Sequence, residues 1–495
     1  MSELEEKPPV IEQEKTDTIE SPNKKIPTIS RSLYIVSMVV VSMISVGGTL
    51  IASGVGAAQG FVGTSQGELA EVETAYQILK NQYVDSSITS QQLIDGAIKG
   101  MTQSLGDPYS DYLVNSETSQ LDELTQGSFG GIGAEIGTDA NNRVMINNTR
   151  EGTPSREAGL QAGDVILKVD GTDVIGKTVN ETVMMVRGEV GTDVTLTILR
   201  GSQEFDVTLT RAKISVTTVT AQLDATNSKV GHIQITSFAR NTTEELQKAI
   251  EELRNQGATL FVFDLRHNPG GLLDQAIRMS NMFVKDGETI VQVEDRYGNK
   301  QAYKAGNEFG TFKVTEPYVV LVDEGSASAS EIFAGALKES ANATIIGTKT
   351  YGKGTVQTIE QLTPTSELKF TNAKWLTPNG NWIHQKGIEP TIEVVAPEYT
   401  NARTIDASTP MQEGTVSAQV KNAELVLQTL GYDVVVDGYY DAKTTTAVKN
   451  FQKAHSIEET GVIDVSTANE LMKEIRTFIK DHDVQYQEAV KKVVS

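Results

Sequence analysis

The chain of 495 residues contains no cysteine. Disulfides, thiolate metal sites and a cysteine nucleophile are therefore excluded. Histidine is scarce: His232, His267, His384, His455 and His482 are all there are, which leaves few candidates for an imidazole base. There is no HExxH and no His/Asp cluster with ligand spacing, so the sequence implies no metal and no cofactor. Basic residues are outnumbered, 43 Lys and Arg against 65 Asp and Glu, for a net charge of −22. A surface of that sign repels phosphate, which argues against nucleic acid as a partner. Its plain consequence is solubility.

Long apolar runs are missing too, with one exception. From Ser32 to Gly67 there is no charged residue, and LYIVSMVVVSMISVGGTLIASGV is about the ~20 residues that span a hydrocarbon core. Lys24, Lys25 and Arg31 precede it; Glu68, Glu71 and Glu73 follow. The charge bias predicts a transmembrane helix over 32–58, a disordered cytoplasmic leader over 1–31, and an extracytoplasmic remainder. A cleaved signal peptide is the alternative, since GVGAAQG offers small residues at a cleavage site.

The remaining length suits several domains. Residues 68–126 carry apolar residues at three and four spacing and are expected to be helical, with Ser90 as a helix N-cap. Residues 127–212 switch to short strands and turns. Residues 213–398 alternate strands and helices, such as TLFVFDLR and TTEELQKAIEELRNQG, and predict an α/β core with parallel strands. A linker over 399–414 leads to three short helices over 415–478 and a last helix over 479–495.

Two of these units carry family patterns. GSFGGIGAEIG followed by TPSREAGLQAGDVILKVDG resembles a PDZ domain, a β-rich α+β fold. A Gly-rich loop before a strand exposes backbone N–H groups that can capture a carboxylate, and the strand can pair with an added peptide. The resemblance places peptide binding on Gly131, Ile132, Gly133, Ala134, Glu135 and Ile136. The 415–478 unit, with LQTLGY, DGYYD, AVKNFQ and TG in order, resembles the type 1 peptidoglycan-binding domain, a small all-α bundle. That implies peptidoglycan as a partner and a bacterial, wall-facing location. Phe451, Leu427 and Leu471 serve a helical core whatever the function.

The candidate site is GSASASE, residues 325–331, between the apolar run YVVLV and the helix-like EIFAGALKES. A strand-to-helix turn in an α/β fold is where sites sit and where helix N–H groups point outward. Ser328-x-x-Glu331 is also a capping box, which needs no chemistry. A nucleophilic serine needs a base. His267 and His384 are the credible histidines, but no G-x-S-x-G elbow surrounds the serines. Lys349 and Lys353, at the end of TIIGTKTYGKGTVQ, are the alternative, because burial can lower a lysine pKa into the working range.

Residues 70–395 resemble the carboxyl-terminal processing (tail-specific) serine proteases, which carry a PDZ domain inserted in the protease fold. GDPYSDYL, DLRHNPGGLL, GSASASEIFAGAL and TYGKGTVQ carry the likeness. It implies a crotonase/tail-protease-like α/β core, Ser328 as nucleophile, Lys353 as base and Gln357 orienting the lysine. It further implies backbone oxyanion donors at Gly271 and Ala329, protein substrates with apolar C-termini, and a possible homodimer through the helices at either end. Arg187, in MVRG, is a candidate contact from the PDZ unit to the protease. A non-catalytic PDZ and wall-binding scaffold is the reading from a different class.

Overall fold

The computed structural model describes residues 68–115, 117–118, 121, 125–139 and 143–495. The leader over 1–31 and the expected membrane helix over 32–58 lie outside the described residues. Among those described, no helix is long and apolar enough to cross a membrane.

Two helices, Ala70–Gln82 and Ser90–Gln103, come first. Thr89, not Ser90, caps the second. Its hydroxyl accepts from the Gln92 N–H at 3.1 Å while the Gln92 side chain accepts from the Thr89 N–H at 2.8 Å. The chain then enters the PDZ-like unit through a ribbon in which Ser128–Gly131 pairs with Ala212–Ser215. Within the unit, antiparallel strands run in the order Ala134–Thr138, Val144–Thr149, Val165–Val169, Asp193–Arg200 and Gln203–Thr210. Val194, Leu196 and Ile198, alternating with half-buried or exposed residues at the strand's start, pack on Ile146 and Ile166. The helix Val179–Val186 starts at Thr178, which forms a full capping box with Glu181.

The protease-like core has two sheets. The first runs Val219–Leu223, Val230–Ile235, Leu260–Asp264, Tyr318–Val322, Thr344–Gly347, Ile392–Glu393. Its first pair is antiparallel and the rest are parallel. FVF and VVLV are apolar without alternation because both sheet faces are covered. Phe261, Phe263, Val320 and Val322 face Leu246, Ile250, Ile277, Ile332 and Phe333 of three helices, Thr242–Asn255, Leu273–Asn281 and Ala329–Ser340. Val262, Val319 and Leu321 face the other way, onto Ala489 and Val493 of the last helix.

The second sheet is antiparallel: Asp111–Val114, Ser366–Leu376, Thr289–Asp295 and Lys300–Lys304, with Thr355–Thr363 also paired to Ser366–Leu376. TIVQVED is therefore not a strand of the parallel core. Its register partner is Ala373–Leu376.

In the C-terminal bundle, Ala418–Thr429, Ala442–Ala454 and Val465–Asp481 close around Leu427, Val448, Phe451 and Leu471. The buried Gln452 accepts from the Gly461 N–H at 2.9 Å and donates to the Val462 carbonyl at 2.9 Å, so the FQ…TG pattern is explained by folding alone. The expected last helix begins later than 479. The chain breaks at His482, and Asp483 caps Val484–Val494 by accepting from the Tyr486 N–H at 2.9 Å.

Candidate active site

The three serines of GSASASE lie where Tyr318–Val322 has ended and Ala329–Ser340 begins. Ser326 Oγ donates to the Leu265 carbonyl and Ser330 Oγ to the Asn268 carbonyl, both at 2.8 Å. Both hydroxyls hold the neighbouring DLRHNPGG loop in place. Ser328 differs: its Oγ is buried and has no hydrogen-bond partner. Its φ is 63°, a left-handed conformation that costs a non-glycine residue about 1–3 kcal/mol and persists only where the surroundings impose it.

Glu331 imposes it. Its carboxylate accepts from the Ser328 N–H (2.8 Å), as a capping box predicts. It also accepts from the Gly352 N–H (2.7 Å), the Lys353 N–H (2.8 Å) and Thr350 Oγ1 (2.6 Å). Burial raises the Glu331 pKa, and these four donors oppose that. One buried carboxylate thus ties the serine turn to the lysine loop.

Lys353 is wholly buried. Desolvation, helped by the Lys369 charge, pushes its pKa down to about 7 against the opposing pull of Asp107 and Glu331. Its Nζ lies 4.6 Å from the centre of the Tyr109 ring. Tyr109 belongs to GDPYSDYL. Asp107 secures that turn by accepting from Ser110 Oγ (2.6 Å), which in turn accepts from the Thr371 N–H (3.0 Å). The chain's only two tryptophans hold the base loop: Trp375 Nε1 donates to the Lys353 carbonyl and Trp382 Nε1 to that of Gly354, each at 2.8 Å. Gly352 and Gly354 are required here, since a Cβ would lie 2.9 Å from the Gly387 nitrogen in one case and from the Trp382 indole nitrogen in the other. Gln357 is also buried, its Nε2 donating to Thr355 Oγ1 and Thr371 Oγ1 at 3.0 Å, which fixes the direction of its amide.

The loop after Leu260–Asp264 delivers the glycines. The Gly270 N–H is taken by Asn268 Oδ1 at 2.9 Å. The Gly270 carbonyl accepts from Phe238 N–H and the Leu272 N–H donates to the Phe238 carbonyl, which leaves the Gly271 N–H out of that pairing. A Cβ on Gly270 would lie 2.8 Å from Ser328 Cβ and 2.9 Å from the Ala329 nitrogen. The glycine loop is thus pressed against the serine and the first helical N–H.

Neither His267 nor His384 is hydrogen-bonded to the hydroxyl. His267 projects into solvent and pairs with Asp323 through Nδ1 at 2.8 Å. His384 stacks on Trp382, and Nδ1 accepts weakly from the Gly354 N–H at 3.4 Å. Lys349 is exposed beside Glu389, at 3.3 Å. Among the described residues, His455, Glu470 and Glu474 group closely enough to be metal ligands, but Lys473 already pairs with Glu470 at 2.7 Å.

The proposed peptide groove divides between strand and loop. Ala134–Thr138, which contains Ala134, Glu135 and Ile136, is the edge strand of its sheet. Gly131 ends the ribbon strand, Ile132 is buried, and the Gly133 φ of +75° puts a would-be Cβ 2.4 Å from Thr153. Arg187 stacks on Phe129 of the ribbon, 4.1 Å from the ring centre. Sequence reasoning missed Tyr109, Asp107, Lys369 and the wider part played by Glu331. Asp107 and Tyr109 stood in a motif without a role, and Glu331 read only as a cap.

Family models match four stretches: a CtpB-type activating-protease N-terminal domain at 50–118, a PDZ domain at 130–210, peptidase family S41 at 229–394, and a peptidoglycan binding domain at 416–471. The chain is 42% identical over 428 residues to the carboxy-terminal processing protease CtpA of Bacillus subtilis, covering 86% of this chain and 90% of that one. It is 37% identical over 462 residues to a "Probable CtpA-like serine protease" of Staphylococcus saprophyticus, covering 93% and 92%. Among solved structures, the photosystem II D1 C-terminal processing protease matches at 32% identity and a TM-score of 0.39, covering 66% of this chain and 86% of that one. With this identity over most of its length, the chain belongs to the carboxy-terminal processing serine proteases of peptidase family S41.

Proposed function

We propose that this protein is a membrane-anchored, extracytoplasmic endopeptidase with a Ser328–Lys353 dyad, held at the cell wall by its C-terminal bundle. Neutral Lys353 takes the proton from Ser328 Oγ as the oxygen attacks the scissile carbonyl, and returns it to the leaving amine. Gln357 accepts from the lysine and keeps it aimed. The Gly271 and Ala329 N–H groups receive the developing oxyanion. Water then clears the acyl-enzyme. The edge strand Ala134–Thr138 and the Gly131–Gly133 turn capture the apolar C-terminus of the substrate by strand addition. The observation that carries this reading is the wholly buried Lys353, whose pKa is pushed to about 7, tied through Glu331 to a serine with an unpartnered hydroxyl.

The test is cleavage of an unfolded protein with an apolar C-terminus. Wild type is compared with Ser328→Ala, Lys353→Ala and the double variant His267→Ala, His384→Ala. The first two should be inactive and the double variant active. Normal cleavage by Lys353→Ala would refute the dyad. Full biological effect from Ser328→Ala would favour the scaffold.

A further inference from the structure

The family matches end at residue 471, yet the chain returns to the protease after the wall-binding bundle. The helix Val484–Val494 closes the second face of the parallel sheet, with Ala489 and Val493 against Val230, Val262, Val319, Leu321 and Ile346. The bundle is thus an insert with both ends attached to the core, not a tail.

The first residue of this returning segment touches the glycine loop. Asp483 binds both terminal nitrogens of Arg266, Oδ1 to Nη1 at 2.8 Å and Oδ2 to Nη2 at 2.7 Å. Gln485 Oε1 accepts from Nη1 at 3.1 Å, and Gln485 Nε2 is anchored on the Val394 carbonyl at 2.8 Å. The other side of the guanidinium binds Asp264, Nε to Oδ1 at 2.9 Å and Nη2 to Oδ2 at 2.6 Å. Asp264 ends a core strand and is 1% exposed, so it is a fixed point. The side chains of Arg266 and Asp483 are only 15% and 25% exposed, which removes this pair from the weak class of surface ion pairs. Asp264 takes the Nε–Nη2 edge of the planar fork and Asp483 its Nη1–Nη2 edge, so the two carboxylates clamp it between a core strand and the returning segment.

Arg266 opens the loop whose far end presses on Ser328 and Ala329 at Gly270 and on the Phe238 backbone at Gly271. Misplacement there by an ångström can cost about a hundredfold in rate. We infer that Asp483 is a positioning residue for the oxyanion loop, so that the segment after the wall-binding bundle is a working part of the protease. This rests on Gly271 serving as an oxyanion donor.

The experiment uses the full-length protein, Asp483→Asn, and a chain ending at residue 482 with a synthetic 483–495 peptide added in trans. Steady-state cleavage is measured alongside inhibition by a peptide boronate, which becomes tetrahedral on the serine, and binding of an apolar tail peptide. Asp483→Asn should lower kcat about ten- to a hundredfold with KM within about twofold. The boronate should weaken by the same factor while tail-peptide affinity stays, and the added peptide should restore the shortened chain. Unchanged kcat and boronate affinity in Asp483→Asn would overturn the inference, even if thermal stability fell. Should the shortened chain fail to fold, the asparagine variant decides alone. Cleavage surviving in Ser328→Ala would overturn instead the nucleophile on which this inference depends.

Discussion

The sharpest consequence of the structure is a pH dependence. Lys353 has a folded pKa of about 7 against an ordinary 10.5. If the neutral amine is the base, kcat/KM follows its fraction. That fraction is about one-eleventh at pH 6 and ten-elevenths at pH 8, so activity should rise about tenfold between them and then level off. Stability carries the same signature. Between pH 7 and 10.5 the unfolded chain binds a proton that the folded one lacks. Folding stability from this group therefore rises with pH across that window, by roughly 5 kcal/mol, and is flat below pH 7. Lys353→Met removes the slope, so the wild-type-minus-variant difference in urea unfolding at pH 7, 8.5 and 10 isolates it. The charged neighbours make the claim directional. Removing the Lys369 charge with Lys369→Met should move the acid limb of kcat/KM to higher pH; removing the Asp107 charge with Asp107→Asn should move it lower. His384 and Glu331 face the same loop, and His384→Ala should leave a single limb near 7. A profile flat from pH 6 to 8, or a midpoint near 10, would refute a buried lysine base.

Glu331→Gln puts an amide NH2 against two of the four donors, and should lower kcat at least about tenfold and stability by about 1–3 kcal/mol in denaturant titrations. Gly270→Ala forces a Cβ to within 2.7 Å of the Ala327 carbonyl oxygen and 2.8 Å of Ser328 Cβ, at a φ of +104°; cleavage should fall below a hundredth of wild type while tail-peptide binding stays intact. Gly133→Ala does the reverse: the clash with Thr153 should weaken binding of an apolar C-terminal peptide about tenfold or more by fluorescence anisotropy, with turnover of a short tail-less peptide unchanged. If occupancy of the peptide groove is coupled to the site, a tail peptide added in trans should raise turnover of that short peptide severalfold and change the fluorescence of Trp375 and Trp382; competitive inhibition without a fluorescence change would refute that coupling.

Much of the site was legible because its chemistry sits in contiguous motifs. Ser328, Ala329 and Glu331 fall within four residues, and Lys353 and Gln357 within five. What was not legible is what crosses between segments. The Ser110–Thr371 hydrogen bond that seats Tyr109 beside Lys353 spans 261 positions, and no local pattern encodes it. Glu331 was seen as a cap because S-x-x-E is a cap; its bonds to the Gly352 and Lys353 N–H groups exist only once the parallel strands Tyr318–Val322 and Thr344–Gly347 lie side by side. The place of TIVQVED was hidden for a related reason: alternation of strands and helices along the chain says nothing of a second sheet recruited from distant strands. Asp483 and Arg266 are 217 positions apart, with a complete helical bundle between.

Two demands on this site pull against each other. A lysine stays neutral near pH 7 only while water is kept away, and here Lys353, Gln357, Ser328 and Ala329 are all fully buried. If Ser328 is the nucleophile, a polypeptide substrate nonetheless has to bring its carbonyl to Ser328 Oγ, which solvent does not reach in this conformation. Opening the site permanently would rehydrate the lysine and return its pKa toward 10.5, so a static cleft would disable Lys353 as the proposed base. A Ser328–Lys353 dyad would therefore need a transient opening that the substrate itself fills, replacing water with peptide. Both strands connecting the PDZ-like unit to the core pass through the ribbon Ser128–Gly131 and Ala212–Ser215, where Arg187 stacks on Phe129. The edge strand Ala134–Thr138 follows this ribbon directly, so the proposed peptide groove and the connection to the core share one piece of chain.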